Sequence, residues 1–278
     1  MRVVELVVPD ESAEAASDRL WTAGASGIEE RSGDGVTALR TVLAADDDVS
    51  RSRLGPLPVG WILQFVDVDD APAETWRDFA RPIIVNDDLM IRPAWLVDNT
   101  EVGNRTVIDI DPAGSFGLGD HPTTRLSADA VWRSVRAGDR VLDVGCGSGV
   151  LSIIAVERGA STVVAIDVAE AAREATIANA RRHRVADRID ASCTPLAVIG
   201  DGFDVVIANI LAPTLVSLAA DLRRVLSPTG RLIISGILSG HHDHVLDALA
   251  PLEVVRSDEL DAWACVELTA RTPDFSAG

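Results

Sequence analysis

Residues 141–151 read Val-Leu-Asp-Val-Gly-Cys-Gly-Ser-Gly-Val-Leu, a pattern typical of a buried strand that passes through a glycine turn into a helix. Gly145 and Gly147 allow backbone conformations and a close ligand approach that a Cβ would block. Asp143 adds a carboxylate, which would repel a pyrophosphate but attract the amino group and the sulfonium of S-adenosylmethionine. Nicotinamide enzymes normally carry GxGxxG here, whereas the third glycine of this chain comes one residue early. The segment therefore predicts a methyltransferase rather than a dinucleotide dehydrogenase.

A second carboxylate, Asp167, lies 20 residues after Gly147, at the end of the apolar run 163–166. A carboxylate in this place can accept hydrogen bonds from both hydroxyls of a ribose. The alternative is that Asp167 only caps the N-terminus of the helix that follows. Together with the glycine turn, Asp167 indicates a site for a nucleoside.

Residues 114–125 read Gly-Ser-Phe-Gly-Leu-Gly-Asp-His-Pro-Thr-Thr-Arg and lead into a helix predicted at 123–135. So many glycines make a poor core, but they suit a shaped loop that lies over a ligand. Thr123 and Thr124 are candidates both for capping the helix and for binding the methionine part of the cofactor. Phe116 is a candidate for closing over the cofactor or the substrate. A capping loop without any ligand is the alternative.

Asn209 follows an apolar strand predicted at 204–208. Ligands of doubly wound folds lie beyond the carboxyl ends of the strands, so Asn209 would face the transferred methyl group. Its amide oxygen can accept a hydrogen bond from an amine and orient the nitrogen lone pair for in-line displacement. A lysine amine, with a pKa of about 10.4, must first lose its proton. Asp120 and His121 are candidate helpers, and a plain helix cap is the alternative for Asn209.

Two sets of elements must position these residues. From residue 140 onwards strands and helices alternate, which predicts a mostly parallel, doubly wound sheet with helices on both faces. The last two predicted strands have only a short polar link, so we expect one antiparallel strand. Residues 1–95 instead show the order β-α-β-β-α-β, which predicts a smaller ferredoxin-like α+β domain. We expect a linker at 96–110 and the α/β domain at 111–278.

Composition narrows the class of protein. The 278 residues are 47% hydrophobic and 24% charged, which is ample material for a globular core. The N-terminus reads as a strand rather than as a signal peptide, and no run reaches the roughly 18 apolar residues of a membrane span. We therefore expect a cytoplasmic protein without membrane contact.

The net charge of −18 further limits the partners. Such a surface repels bare nucleic acid and would attract a basic protein. The alternative is that the acidity only keeps the protein soluble. His241, His242 and His244 invite comparison with a metal site, but no cysteine or acidic cluster accompanies them. We interpret them as a solvated helix start and expect no metal.

Several segments, in the same order along the chain, resemble the ribosomal protein L11 methyltransferases (PrmA type). They are Trp76, Phe79, Arg81-Pro82, Leu-Met-Ile-Arg-Pro-Ala-Trp at 89–95, the loop 116–124, Asn-Ile-Leu-Ala at 209–212 and Ser-Gly-Ile-Leu at 235–238. The loop and the Asn-Ile-Leu-Ala motif are far more specific to that family than the glycine turn is. Leu118 and Asp120 depart from the family, which more often has small polar residues such as threonine there.

The resemblance implies a class I methyltransferase fold and contacts to S-adenosylmethionine from Phe116, Thr123, Thr124, Gly145, Asp167 and Asn209. It also implies methylation of lysine and/or N-terminal amines of ribosomal protein L11, with the N-terminal domain recognising this basic substrate. Another protein lysine or a small amine is the alternative acceptor. Outside the enzymes, the alternative is a module that binds S-adenosylmethionine without turnover.

Overall fold

The structure is a computed structural model that describes residues 2–25, 28–33, 35–43, 47–67, 80–96, 102–112 and 117–270. The chain divides into two compact units, Met1–Ala80 and Arg81–Gly278. Each unit has a hydrophobic core of its own. Within the described ranges, no helix is both long and apolar enough to cross a membrane.

The N-terminal unit is built on a four-stranded antiparallel sheet with the strand order β2-β3-β1-β4. Leu6 and Leu39 pair across the two central strands and share a core with Leu20 and Leu54 of the two helices. The name ferredoxin-like remains a prediction for this unit. Its elements are β1 (Arg2–Pro9), α1 (Ala13–Thr22), β2 (Glu29–Gly33), β3 (Val36–Thr41), α2 (Asp47–Leu54) and β4 (Ile62–Asp67).

The boundary between the units falls earlier than the expected residue 95. Strands β5 (Ile83–Ile84), β6 (Leu89–Pro93) and β7 (Thr106–Ile110) form a small sheet in the second unit, with β6 and β7 in parallel. Their apolar side chains, Ile91 and Ile108 among them, belong to the larger core. The expected linker at 96–110 therefore contains strand β7, and its residues before β7 connect two strands of the same unit.

The second unit also contains a seven-stranded sheet with the order β10-β9-β8-β11-β12-β14-β13. β14 is antiparallel to both of its neighbours, while the other neighbouring pairs are parallel. This arrangement confirms the predicted doubly wound sheet with one reversed strand. The strands are β8 (Arg140–Val144), β9 (Thr162–Ile166), β10 (Ile189–Ser192), β11 (Phe203–Asn209), β12 (Leu226–Leu238), β13 (Glu253–Leu260) and β14 (Trp263–Thr269).

Helices cover both faces of this sheet, which is why its central strands are apolar at consecutive positions. Val141 and Leu142 are neighbours in β8, yet they belong to two different core clusters. Successive side chains of a strand point to opposite faces, so each cluster marks one face. The helices are α3 (Pro122–Ser134), α4 (Val150–Glu157), α5 (Glu170–Arg182), α6 (Ala212–Val225) and α7 (Asp243–Leu249).

Helix α3 contacts the reversed strand β14 at both of its ends. At its C-terminal end, Ser134 Oγ and Arg133 Nη1 donate hydrogen bonds of 2.7 and 2.9 Å to the two carboxylate oxygens of Glu267. At its N-terminal end, the ring of His121 lies edge-on to the ring of Trp263, with 5.0 Å between their centroids. The helix is thereby fixed along β14.

The parallel strands β8, β9 and β11 end at the same edge of the sheet. Val144 at the end of β8 pairs with Ile166 of β9 on one side and with Ala208 of β11 on the other. The glycine turn, Asp167 and Asn209 follow these positions directly and therefore lie at one edge.

Candidate functional site

The glycine turn departs from β8 with a backbone that only glycine suits. Gly145 has φ +77°, and a Cβ there would lie 2.5 Å from Cγ2 of Ile210. Gly149 has φ +79° and caps α4, and a Cβ there would lie 3.0 Å from the Cα of Thr176. The amides of Gly145 and Cys146 both bond to the carbonyl oxygen of Ile166, at 2.8 and 3.1 Å. The turn is thus held close to β9, β11 and α5.

A cleft opens over this turn and brings together several of the predicted residues. Four of them, Thr124, Gly145, Gly147 and Asn209, line it. The cleft is also lined by Gly117, Cys146, Val150 and Leu151, which the sequence analysis did not single out. Cys146, Val150 and Leu151 lie inside the glycine motif, so the motif itself could have identified them as lining residues. Phe116 lies outside the described residues.

Asp167 is half-buried beside the turn. Its Oδ2 accepts a hydrogen bond of 3.0 Å from the amide of Gly147, and its Oδ1 accepts one of 2.9 Å from the amide of Ala169. A carboxylate oxygen has two lone pairs, so each oxygen can accept one further hydrogen bond. Asp167 thus has the capping contact of the alternative interpretation and still retains the capacity to bind two hydroxyls.

Asp143 lies beneath the turn rather than in the lining of the cleft. It is 1% exposed, and Ser152 of α4 donates a hydrogen bond of 2.6 Å to its Oδ2. Burial raises the pKa of Asp143 to about 6, and the neighbouring charge of Asp167 raises it further, while the Ser152 hydroxyl opposes the shift. The sequence pattern could not distinguish this position from one in direct contact with a ligand.

The two threonines at the start of α3 differ in their hydrogen bonding. The amide and the Oγ1 of Thr123 already have a hydrogen-bond partner, since they lie 3.3 and 2.8 Å from Nδ1 of the N-cap residue His121. Thr124 is 1% exposed, and its Oγ1 has no hydrogen-bond partner among the described residues. An unsatisfied buried hydroxyl costs about 1–3 kcal/mol, so this atom at the cleft indicates a polar ligand.

His121 lies partly buried next to Asp120. Burial lowers the pKa of the His121 imidazole, and the nearby charge of Asp120 opposes this effect in part. The ring lies at the N-cap of α3, where its Nδ1 contacts the amide and the Oγ1 of Thr123.

Asn209 ends β11 at the cleft, and the next residue is tightly enclosed. The amide of Ile210 bonds to the carbonyl oxygen of Ser235 at 3.2 Å. Gly236 forms a bulge in β12 with φ +83°, and a Cβ there would overlap the backbone of Ile210. Ile210 is thus confined between Gly145 and Gly236. The two four-residue motifs at 209–212 and 235–238 therefore meet here, which their separation in sequence does not indicate.

The three histidines that were considered for a metal site are not among the residues that line the cleft. His241, His242 and His244 lie at the start of α7, where the ring of His242 bonds to the carbonyl oxygen of Leu238 at 3.0 Å. Within the described part of the chain, no group of three or more His, Cys, Asp or Glu side chains is arranged to hold a metal ion.

Comparison with solved structures places this fold in a known class. The crystal structure of ribosomal protein L11 methylase from Lactobacillus delbrueckii subsp. bulgaricus matches 69% of this chain and 98% of that chain. The TM-score is 0.63, and the sequences are 30% identical. The fold is that of the class I methyltransferases.

Comparison with proteins of similar sequence defines the family within this class. The family model described as "Ribosomal protein L11 methyltransferase (PrmA)" matches residues 63–271. A relative of that name from Cupriavidus metallidurans is 33% identical over 94% of both chains. One from Geobacter sp. (strain M21) is 39% identical over 70% of this chain, and the match spans 65% of its own length. The chain belongs to the ribosomal protein L11 methyltransferase (PrmA) family.

Proposed function

We propose that this protein transfers methyl groups from S-adenosylmethionine to lysine and/or N-terminal amines of a ribosomal protein, L11. One observation carries the proposal: Thr124, whose hydroxyl has no hydrogen-bond partner among the described residues, lines a single cleft with the glycine turn and Asn209 at the carboxyl edge of the sheet. Asp167, which accepts a hydrogen bond from the amide of Gly147 in that turn, is the fourth part of the proposed site. The names of the relatives supply the substrate.

The cofactor, when bound, supplies an electrophilic methyl group on a sulfonium. Asp167 would accept the ribose hydroxyls with its free lone pairs, and Gly145 and Gly147 would let the backbone lie against the nucleoside. Thr123 and Thr124 would bind the amino-acid part, and Phe116 would close over it. Asp143 would act from beneath the turn, through the electrostatic field that favours a cation there.

Asn209 would orient the acceptor. Its amide oxygen would accept an N–H of the incoming amine, which directs the nitrogen lone pair towards the methyl group. Removing the amine from water lowers its pKa and favours its neutral form. The imidazole of His121, with the carboxylate of Asp120 beside it, is the candidate group for taking the released proton.

The N-terminal unit would recognise the protein substrate. Residues 1–80 contain 16 acidic residues and seven arginines, a net charge of −9, which is half of the charge of the whole chain. Long-range attraction of this kind accelerates the encounter with a basic protein more than it strengthens the final complex. Ribosomal proteins are made and assembled in the cytoplasm, where we expect this protein to act, without contact to a membrane or to bare nucleic acid.

The test is calorimetric titration of the protein with S-adenosylmethionine, followed by transfer of a radiolabelled methyl group to purified ribosomal protein L11. The 25 basic residues of the chain are all arginine, so any methyl-lysine formed must lie on the substrate and not on the enzyme. Binding with label in L11 lysine or N-terminal amine supports the proposal.

Other outcomes would separate the alternatives. Binding of the cofactor with label in another basic protein or in a small amine would replace the substrate but keep the reaction. Binding without transfer to any acceptor of a whole-proteome extract would favour a non-catalytic module. Absence of binding would overturn the assignment of the cleft, and binding of NADH instead would favour a dehydrogenase.

A further inference from the structure

One buried residue of the glycine turn, Ser148, makes hydrogen bonds through both its side chain and its backbone carbonyl. Its Oγ donates a hydrogen bond of 2.8 Å to the carbonyl oxygen of Gly117, in the loop that precedes α3. Its own carbonyl oxygen accepts one of 2.9 Å from Nδ2 of Asn179 in helix α5. Gly117 approaches so closely that a Cβ on it would lie 2.7 Å from the Ser148 Oγ.

Asn179 extends this connection to the segment before the loop. Its Nδ2 also donates a hydrogen bond of 2.8 Å to the carbonyl oxygen of Asp111, and its Oδ1 accepts one of 3.1 Å from the amide of Asp111. The side chain of Asn179 is completely buried. All three of its hydrogen bonds therefore join backbone groups of two segments that are 37 residues apart in sequence, Asp111 and Ser148.

Two neighbours of Asn179, Thr176 in α5 and the C-cap residue His183, also bind backbone groups. The Oγ1 of Thr176 lies 3.1 Å from the carbonyl oxygen of Gly147, and the amide of Asp109 bonds to Nε2 of His183 at 2.9 Å. Residues three and four positions apart lie on one face of a helix, so this face of α5 is polar and binds backbone at the turn and at the end of β7.

We propose that Ser148 and Asn179 are positioning residues for the ligand of the cleft, holding the segments at Asp111 and Gly117 against the glycine turn before the ligand binds. The proposal rests on the proposed function in that this ligand is S-adenosylmethionine. A cleft whose walls are already fixed in the free protein avoids the loss of conformational entropy that binding would otherwise cost. Loss of either side chain should then weaken cofactor binding without changing the chemistry at the acceptor.

The test uses the full chain with Ser148→Ala and, separately, Asn179→Asp. The first removes the hydrogen bond to Gly117, together with a weak one of 3.4 Å from the amide of Val150. The second keeps the size of the side chain and its acceptor for the Asp111 amide, but loses both donated bonds. We expect the Kd for S-adenosylmethionine, measured by calorimetry, to rise about tenfold in Ser148→Ala, as loss of one buried hydrogen bond predicts, and by more in Asn179→Asp, which loses two. We expect kcat at saturating cofactor to stay within about twofold.

The matched control is Ser134→Ala, which loses a buried hydroxyl bond of 2.7 Å to Glu267 at the far end of α3. It should lower Tm by about 2–4 °C and leave the Kd unchanged. If Ser148→Ala and Asn179→Asp likewise lower only Tm, the two residues serve stability alone and the proposal is overturned. If Asn179→Asp does not fold, Ser148→Ala decides. Failure of the unaltered chain to bind the cofactor would instead refute the proposed function.

Discussion

The amide of Gly147 donates a hydrogen bond of 3.0 Å to Oδ2 of Asp167, joining the turn after β8 to the end of β9. The other carboxylate oxygen is used by the amide of Ala169. The carboxylate is therefore fixed in orientation by two backbone groups from different elements. This fixed orientation leaves the remaining lone pairs of Asp167 in place for a ligand.

Replacing Asp167 by alanine should raise the Kd for S-adenosylmethionine at least about 100-fold. Two hydrogen bonds from ribose hydroxyls to a charged group would be lost, each worth roughly 1.5–3 kcal/mol. Calorimetric titration measures the change. Asp139→Ala is the control, because the Asp139 carboxylate also accepts a backbone amide, that of Arg136 at 2.8 Å, in an exposed turn. Equal affinities of both variants would refute the ribose role.

Asn209→Ala should lower kcat about 100-fold while changing the Kd of the cofactor by less than about threefold. The expected loss is that of one oriented hydrogen bond to the acceptor and of its alignment with the methyl group. Single-turnover transfer of labelled methyl, with calorimetry in parallel, measures both quantities. Asn86→Ala is the control, since the Asn86 amide bonds to Asp129 at 2.7 Å and to the amide of Asp88. Unchanged turnover in Asn209→Ala would remove the residue from the mechanism.

Gly236→Ala should destabilise the protein more than Gly240→Ala does. Both glycines have positive φ, +83° and +72°, so both variants carry a backbone cost of about 1–2 kcal/mol. Only at Gly236 would the new Cβ overlap a neighbouring backbone, that of Ile210, whereas nothing lies within 4 Å at Gly240. Urea unfolding should show an additional loss of at least ~1 kcal/mol for Gly236→Ala. Equal losses would mean that the bulge can move away from Ile210.

Asp143→Asn should gain stability relative to the unaltered protein as the pH rises. Asp143 has a pKa of about 6 in the folded protein, above its ordinary value of 3.8, because of burial. The folded state therefore holds this proton up to a higher pH than the unfolded state does. Ionisation of Asp143 destabilises the fold, and this destabilisation is absent below pH 3.8 and complete above pH 6. The shift corresponds to at most ~3 kcal/mol. Urea unfolding of both proteins at pH 4.5 and pH 7 measures the change, and a constant difference would contradict it.

The elements of the seven-stranded sheet were predictable because each is a strong local pattern, such as the apolar run at 163–166 before Asp167. The small strand β7 was not, because its five residues follow a polar stretch and its partner β6 is defined only by tertiary pairing. Its residues therefore resembled part of a linker.

The residues of the candidate site likewise divide into those that local sequence patterns predict and those that they do not. Gly145, Gly147 and Asn209 could be found because they stand at the ends of predicted strands, where doubly wound folds bind ligands. Ser148 and Asn179 could not, because a serine in a glycine turn and an asparagine in a helix have no distinctive pattern. Their role depends on which backbone segments meet them in the fold.

The contacts of helix α3 with β14 also bear on the order in which the protein matures during synthesis. Glu267 and Trp263 hold the two ends of the helix that carries Thr124, and both emerge from the ribosome after all the other strands described here. A nascent chain that has not reached them has the glycine turn and Asp167 but lacks the support for α3. The two ends of α3 would therefore be fixed only when synthesis reaches β14, after the glycine turn and Asp167 have already been made.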